Sequence, residues 1–201
     1  MTSKNQIRKK MRQRRCYLND YMRSHLAMQF TQHFLHTPLF KTSKRIACYL
    51  PNDGEMDLQL VIEQIWKMNK TCYLPVLNQL NHRQLLFAQY DINSPLRKNK
   101  FGIPEPMVSP REAFHALNLD LVLVPLVAFD GTGNRLGMGG GFYDRTLAFM
   151  SQRKVWLKPR IYGVAYEFQQ VAAINKKAWD IPMHGVLTEI KQYDMPDRFP
   201  G

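Results

Sequence analysis

At 201 residues, with 45% hydrophobic and 22% charged positions, the chain has a globular composition and enough length for one sizeable core, expected as a single domain over 1–201. No stretch approaches the roughly 20 apolar residues of a membrane-spanning helix, and three cysteines are no disulfide framework, which excludes a helical membrane span and a disulfide scaffold. The formal charge of +12 favours anionic partners of any kind, and with no apolar leader visible a reduced, cytoplasmic setting and a monomer are expected.

Ser3 followed by Gln6 reads as a capping box that opens a first helix, with Ile7, Met11, Tyr17 and Leu18 as a thin apolar stripe. The remainder of this helix is basic: Lys4, Arg8, Lys9, Lys10, Arg12, Arg14 and Arg15, with Arg23 beyond, a run that reads first as a solvated face. Lys4 and Arg8, four residues apart, share a side and can meet one anion. A second helix is expected over 20–35, capped by Asp20 and ended by Thr37-Pro38. From Arg45 the pattern changes to a strand at 46–50, a turn Pro51-Asn-Asp-Gly-Glu55, a helix capped by Asp57, and a strand at 71–77. This is a βαβ unit with parallel strands and a right-handed crossover.

Residues 84–90 read as a strand nearer an edge, and 94–110, with four prolines, as a stiff extended loop able to wall a pocket. A buried central strand is expected at 120–129, a helix from 142 to about 150, and late strands at 161–165 and 184–188, joined by a segment containing 178–182. Cys48 and Cys72 read as small buried hydrophobes, Trp66 and Trp156 as packing residues, and Trp179 as a side chain lining the site. The fold class is α/β: a mostly parallel central sheet flanked by helices on both faces, a Rossmann-like three-layer architecture in which ligands sit beyond the carboxyl ends of the strands.

The most informative stretch is 130–145, Asp-Gly-Thr-Gly-Asn-Arg-Leu-Gly-Met-Gly-Gly-Gly-Phe-Tyr-Asp-Arg, directly after the apolar run. A buried strand that passes through a glycine-rich turn into a helix start offers backbone N–H groups to phosphate oxygens. Gly137, Gly139, Gly140 and Gly141 allow the close approach and the positive φ such a cradle needs. Neither G-x-x-x-x-G-K-[ST] nor G-x-G-x-x-G occurs here, so this is neither a Walker loop nor a dinucleotide fingerprint. Glycines alone read equally well as a tight turn. Arg135 before them and Tyr143, Asp144 and Arg145 after them add phosphate, stacking and metal chemistry within one element.

The chain resembles the 5-formyltetrahydrofolate cyclo-ligase (5,10-methenyltetrahydrofolate synthetase) family over nearly its whole length. The resemblance rests on Ser3-Lys-Asn-Gln-Ile-Arg8, Tyr49-Leu-Pro-Asn-Asp-Gly-Glu-Met-Asp57, Phe101-Gly-Ile-Pro-Glu-Pro106, the strand before Asp130, and Arg135-Leu-Gly-Met-Gly-Gly-Gly-Phe-Tyr-Asp-Arg145. It implies an ATP- and Mg2+-dependent ring closure in which the γ-phosphate passes to the formyl oxygen of 5-formyltetrahydrofolate and 5,10-methenyltetrahydrofolate, ADP and phosphate are released. On that resemblance, Lys4 and Arg8 meet the ATP phosphates, and Arg135, Leu136, Gly137, Met138, Gly139, Gly140, Gly141, Phe142 and Tyr143 form the ATP loop. Met138 to Phe142 also border the folate, with Leu50 and Glu55 as further substrate contacts. Glu55, Arg135 and Tyr143 are the expected catalytic groups, and Asp144 and Asp180 the magnesium ligands. Phe142 stands where the family often has tyrosine, and 138–141 lack the lysine some members carry, so phosphate charge falls to Arg135, Arg145, Lys4 or Arg8.

Two other readings compete. An RNA-binding module has only charge behind it, with no RNP-like aromatics and no KH or zinc signature, so nucleic acid is not the expected partner. A sugar-phosphate isomerase or coenzyme-A-transferase-like enzyme shares the expected architecture and differs in needing no ATP.

Overall fold

The computed structural model describes residues 3–81, 83–109, 111–152, 158–177 and 179–195; Pro110, Trp156 and Ala178, which entered the expectations above, lie outside them. Helix α1 (Lys4–Cys16) opens with the expected capping box, Ser3 and Gln6 exchanging side chain and backbone bonds. It buries Ile7, Met11 and Arg15, every fourth residue, while Tyr17 is 84% exposed. The inward stripe therefore continues through a cation and not through the tyrosine. Asn19, not Asp20, caps α2 (Asp20–His36), its side chain accepting from Met22 N–H, and Asp20 falls in the first turn where a negative charge complements the helix dipole. Thr37 ends α2 and at once caps α3 (Pro38–Thr42), with proline at the position that needs no donor.

Strand β1 (Arg45–Ala47) leaves the sheet earlier than expected, and α4 (Gln59–Lys67) follows the turn, with Asp57 accepting from Gln59 N–H. Strand β2 (Thr71–Leu77) has the expected limits, and β3 (Leu85–Tyr90) returns beside it. The proline-rich segment is not simply an extended loop: β4 (Leu96–Lys98) and β5 (Pro104–Pro106) pair antiparallel as a ribbon. Asn99 closes the tip, its side-chain oxygen accepting from the Phe101 and Ile103 N–H groups. Proline fits where a two-stranded ribbon asks only for a carbonyl, so the residues that argued against a strand are accommodated in one.

After β6 (Ala113–Phe114) comes the central strand, and it is split: β7 (Leu121–Pro125) stays in the main sheet while β8 (Ala128–Asp130) turns back onto β9 (Arg135–Leu136). Helix α5 (Phe142–Thr146) is five residues, continued by a 3-10 turn at Ala148–Gln152, in place of the expected longer helix. The remaining strands are β10 (Arg160–Val164), β11 (Gln170–Val171), β12 (Gly185–Leu187) and β13 (Gln192–Asp194).

The main sheet runs β13-β12-β10-β7-β1-β2-β3-β6. Its five inner strands, β12 to β2, are parallel and the outer pairings antiparallel, so the fold is mixed α/β with a large, mostly parallel sheet. Alternation along the strands sorts the core into two faces. Ile46, Leu74, Leu121, Leu123 and Val164 pack with Phe30, Phe34, Phe40, Ile62 and Ile65 of α2, α3 and α4. Val122, Val124, Ile161 and Val186 pack instead with Ala116, Leu119, Leu147 and Met150. Among the described residues the second face is closed by α5 and short 3-10 turns, so the Rossmann-like three-layer detail is not confirmed. Among the described residues no helix is long and apolar enough to cross a membrane.

Strand order places the site. From β1 the chain steps to β2 on one side, whereas β7 joins the opposite side of β1 and β10 and β12 continue outward from it. The loops leaving β1 and β7 therefore diverge and open a crevice at their carboxyl ends.

Candidate active site

A cavity of about 800 Å3 fills that crevice. Its walls come from the segment after β1 (Tyr49, Leu50, Asn52, Glu55), the end of β7, the start of α1 (Lys4, Arg8), the β4–β5 ribbon and residues 135–144. Every residue expected for ligand, substrate or metal lines it: Lys4, Arg8, Leu50, Glu55, Asp180, and the run from Arg135 to Asp144 without a gap. Arg145 does not. Its guanidinium is turned to the carbonyls of Gly140 (2.5 Å) and Arg83 (2.8 Å), so it braces the glycine loop from outside and is no source of charge within the cavity.

The glycine-rich stretch divides into two parts. Asp130 organises 130–134 as a turn: Oδ1 accepts from the Thr132 and Asn134 N–H groups and Oδ2 from the Asn134 side chain and Ile174 N–H. That half is structural. The second half faces the cavity, and Gly139 (φ 106°) and Gly141 (φ 64°) both take backbone conformations that favour glycine. A Cβ on Gly141 would stand 2.7 Å from the Arg145 guanidinium. Phe142 packs edge-on against Phe101 from the ribbon tip, ring centroids 5.5 Å apart, which joins ribbon and loop across the cavity.

The basic helix is less of a solvated face than its composition suggests. Arg8 Nε donates to the Gly137 carbonyl at 2.9 Å, and Lys4 Nζ lies 3.5 Å from Asp180. Lys4 and Arg8 thus reach the same cavity from one helix face, against different walls. Arg12 grips Asp53 with two bonds of 2.7 and 2.9 Å, and the fully buried Arg15 adds a third at 2.5 Å. These cations hold the Asp53 carboxyl below its usual range, the Arg12 hydrogen bonds contributing most, against partial burial.

Glu55 lines the same cavity. Its Oε2 accepts from Asn52 N–H at 3.1 Å, and its side chain is 11% exposed. Burial, with Asp53 adding to it, raises its pKa to about 7 against the opposing pull of the Asn52 N–H and Arg15, so the carboxyl changes protonation near neutrality. Tyr143 stands within electrostatic reach, and burial pushes its phenol well above the ordinary value, so it remains a donor.

Asp144 is engaged from the other side. Arg135 donates to its Oδ1 at 2.5 Å and Ile181 N–H at 3.3 Å, while Arg135 also donates to the Ile181 carbonyl at 2.8 Å. Asp180 Oδ2 takes both Lys177 N–H and Lys4. The bonds of each carboxylate fall on one oxygen, and no group of three or more His, Cys, Asp or Glu suited to a metal occurs among the described residues. Asp144 and Asp180 both line the cavity, and one or two carboxylates are what a magnesium ion usually takes from protein when phosphate and water complete its shell.

Two contributors to the site are not evident in the sequence. Arg15 reads as one of the surface cations, although its place in the Ile7, Met11 ladder is a usable signal. Asp53, with φ 52°, reads only as a turn residue. The 94–110 segment walls the cavity as expected, through Asn99, Ile103 and Glu105, but does so as an antiparallel ribbon that its prolines conceal. Trp179 lines the cavity as expected, Trp66 is partly buried against the core, and Cys48 and Cys72 are buried at 1%.

The chain matches the model of the 5-formyltetrahydrofolate cyclo-ligase family over residues 1–189. The chain belongs to that family. It is similar to the 5-formyltetrahydrofolate cyclo-ligase of Haemophilus influenzae, 40% identical over 182 residues that cover 90% of this chain and 95% of the relative. With the enzyme of the same name from Escherichia coli strain K12 it shares 38% identity over 184 residues, 92% of this chain and 99% of the relative. Among solved structures, a 5,10-methenyltetrahydrofolate synthetase from Aquifex aeolicus superposes with a TM-score of 0.81 at 32% identity, covering 96% of this chain and 93% of the other. The protein is accordingly an enzyme of the ligase class.

Proposed function

We propose that this protein, as one cytoplasmic, monomeric domain, converts 5-formyltetrahydrofolate to 5,10-methenyltetrahydrofolate at the expense of ATP, through a phosphorylated formyl intermediate. The observation that carries this reading is the meeting, in one cavity at the sheet's switch point, of a cation-flanked glycine loop with a carboxyl that titrates near pH 7. The formyl oxygen attacks the γ-phosphorus and ADP leaves. The oxygen, now a phosphate ester, becomes a leaving group, so nitrogen 10 can bond to the formyl carbon, expel phosphate and give up its proton.

Such a sequence needs positioning and charge neutralisation more than covalent help from protein. Lys4 and Arg8 supply positive charge from α1 and Arg135 from beneath the loop, while 137–141 let phosphate oxygens approach backbone N–H groups. Leu136 anchors the loop in the core beneath. Leu50, Met138 and Phe142 offer an apolar wall to the folate ring, and Glu55 and Tyr143 form the polar end, Glu55 taking a proton or a hydrogen bond and Tyr143 donating one. Asp144 and Asp180 would hold Mg2+, which would supply neutralisation of phosphate charge. The test follows the near-ultraviolet band of methenyltetrahydrofolate with ATP and Mg2+ each present or omitted. The band is expected only with both, and no band under any condition from folded protein would overturn the reading.

A further inference from the structure

Arg15 is the most deeply buried charged side chain near the cavity, 0% exposed, and it lies on the inward ladder of α1 below Ile7 and Met11. Its Nη2 donates to Asp53 Oδ2 and lies 3.9 Å from Met138 Sδ in the glycine loop. Its Nη1 stands 4.0 Å from Glu55 Oε1. Neither Nη1 nor Nε has a hydrogen-bond partner among the described residues. Both nitrogens are buried, so the fold turns this edge of the guanidinium toward Glu55 without a bond of its own to another described residue. The turn it grips passes close against it: a Cβ on Gly54 would lie 3.3 Å from Arg15 Cβ, and Arg23 donates to the Arg15 carbonyl at 3.3 Å.

We propose that Arg15 is a positioning residue of the cavity: from the buried side of α1 it grips the 52–55 turn through Asp53, faces the Glu55 carboxyl with Nη1 and touches the glycine loop at Met138. This deepens the reading of Glu55 as a substrate-facing group and rests on it. A planar guanidinium can meet three neighbours in fixed directions, which a lysine ammonium on its flexible stem does not reproduce. The groups around Glu55 are Arg15 from α1, Asp53 and the Asn52 N–H in its own turn, Tyr49 after β1, Tyr143 of α5, and Tyr166, whose hydroxyl donates to the Glu55 carbonyl. Arg15 is the only cation among these that faces the carboxyl, so its loss leaves the neutral acid favoured and Glu55 unable to take up a proton at neutral pH.

The test titrates Glu55 in the full-length, ligand-free protein by NMR of carbon-13-labelled glutamate carboxyls, the signal assigned with Glu55→Gln. In Arg15→Met the midpoint is expected to rise by about one pH unit, and Arg15→Lys, which restores the charge, to bring it back toward the wild-type value. In Asp53→Asn, where a neighbouring negative charge goes and Arg15 is released toward Glu55, the midpoint is expected to fall. Under turnover, Arg15→Met should lose activity at neutral pH and regain it toward alkaline pH, which a purely structural role would not produce. Midpoints unmoved in both Arg15→Met and Asp53→Asn would overturn the proposal. Should Arg15→Met fail to fold, Asp53→Asn decides alone, since its carboxylate is partly exposed and an unmoved midpoint there is equally fatal. A protein inactive on 5-formyltetrahydrofolate would sink the functional reading while the ligand-free titration still decided the role of Arg15.

Discussion

Glu55 is expected to cost the fold stability above neutral pH, and replacing it should recover that stability. In the folded protein its pKa rises from 4.5 to about 7, chiefly through burial, and its side chain is 11% exposed, so solvent screening removes little of the effect. A carboxyl whose folded value lies above its unfolded value binds more protons folded than unfolded between the two. Stability from this group is therefore full at low pH, declines as the pH rises from 4.5, and is lost once it passes about 7. At about 1.36 kcal/mol per unit the loss amounts to about 3 kcal/mol. Glu55→Gln removes the charge and keeps an oxygen for Asn52 N–H. The variant should match the wild type near about pH 4 and exceed it by about 3 kcal/mol near about pH 8, a Tm gain of roughly 6–12 °C for a chain of this size. Calorimetric melts across that range measure it, with turnover followed in parallel and expected to fall. A Tm difference that does not change with pH would refute the reasoning, because it would mean that Glu55 titrates alike in both states.

Two further outcomes probe the phosphate side. Arg135→Met leaves Asp144 and the Ile181 carbonyl without their buried donor, and because Asp144 is 25% exposed the low end of the range for breaking a buried pair applies: about 3 kcal/mol, read by denaturant melts. A cycle with Asp144→Asn should show a coupling of about 1.5–3 kcal/mol, and strictly additive effects would remove the pair from the account. Asp144→Ala is a poor probe of the proposed Mg2+ site, since it strips a buried guanidinium of its partner. Lys4→Ala combined with Arg8→Ala should raise KM for ATP about tenfold or more while KM for the folate moves about twofold or less, in steady-state assays varying each substrate; equal rises would mean a lost field and not lost phosphate contacts.

The local elements were largely legible. The capping box, β2 to its terminal residues, the parallel β1–β2 unit and the cavity-lining run from Arg135 to Asp144 all follow from short-range rules, since caps, alternation and glycine turns act over a few residues. Where local signals conflicted with pairing, they misled. Prolines argued against a strand in 94–110, yet the partner at 96–98 makes one; the apolar continuity of 120–129 argued for one strand, yet hydrogen bonding to Arg135 and Leu136 draws 128–130 into another sheet.

By itself, then, the sequence singled out residues that line one cavity: glycines with Arg135 and Asp144 at their ends, Lys4 and Arg8 one helical turn apart, and Glu55 in a turn after a strand. Only the tertiary structure decided what state those residues are in. That Glu55 titrates near pH 7, that Arg15 is buried beside it, and that Arg145 faces away from the cavity depend on desolvation and on distances between segments 38 or more residues apart. A side chain's charge state is set by the field and the water around it, and neither is written in its neighbours along the chain.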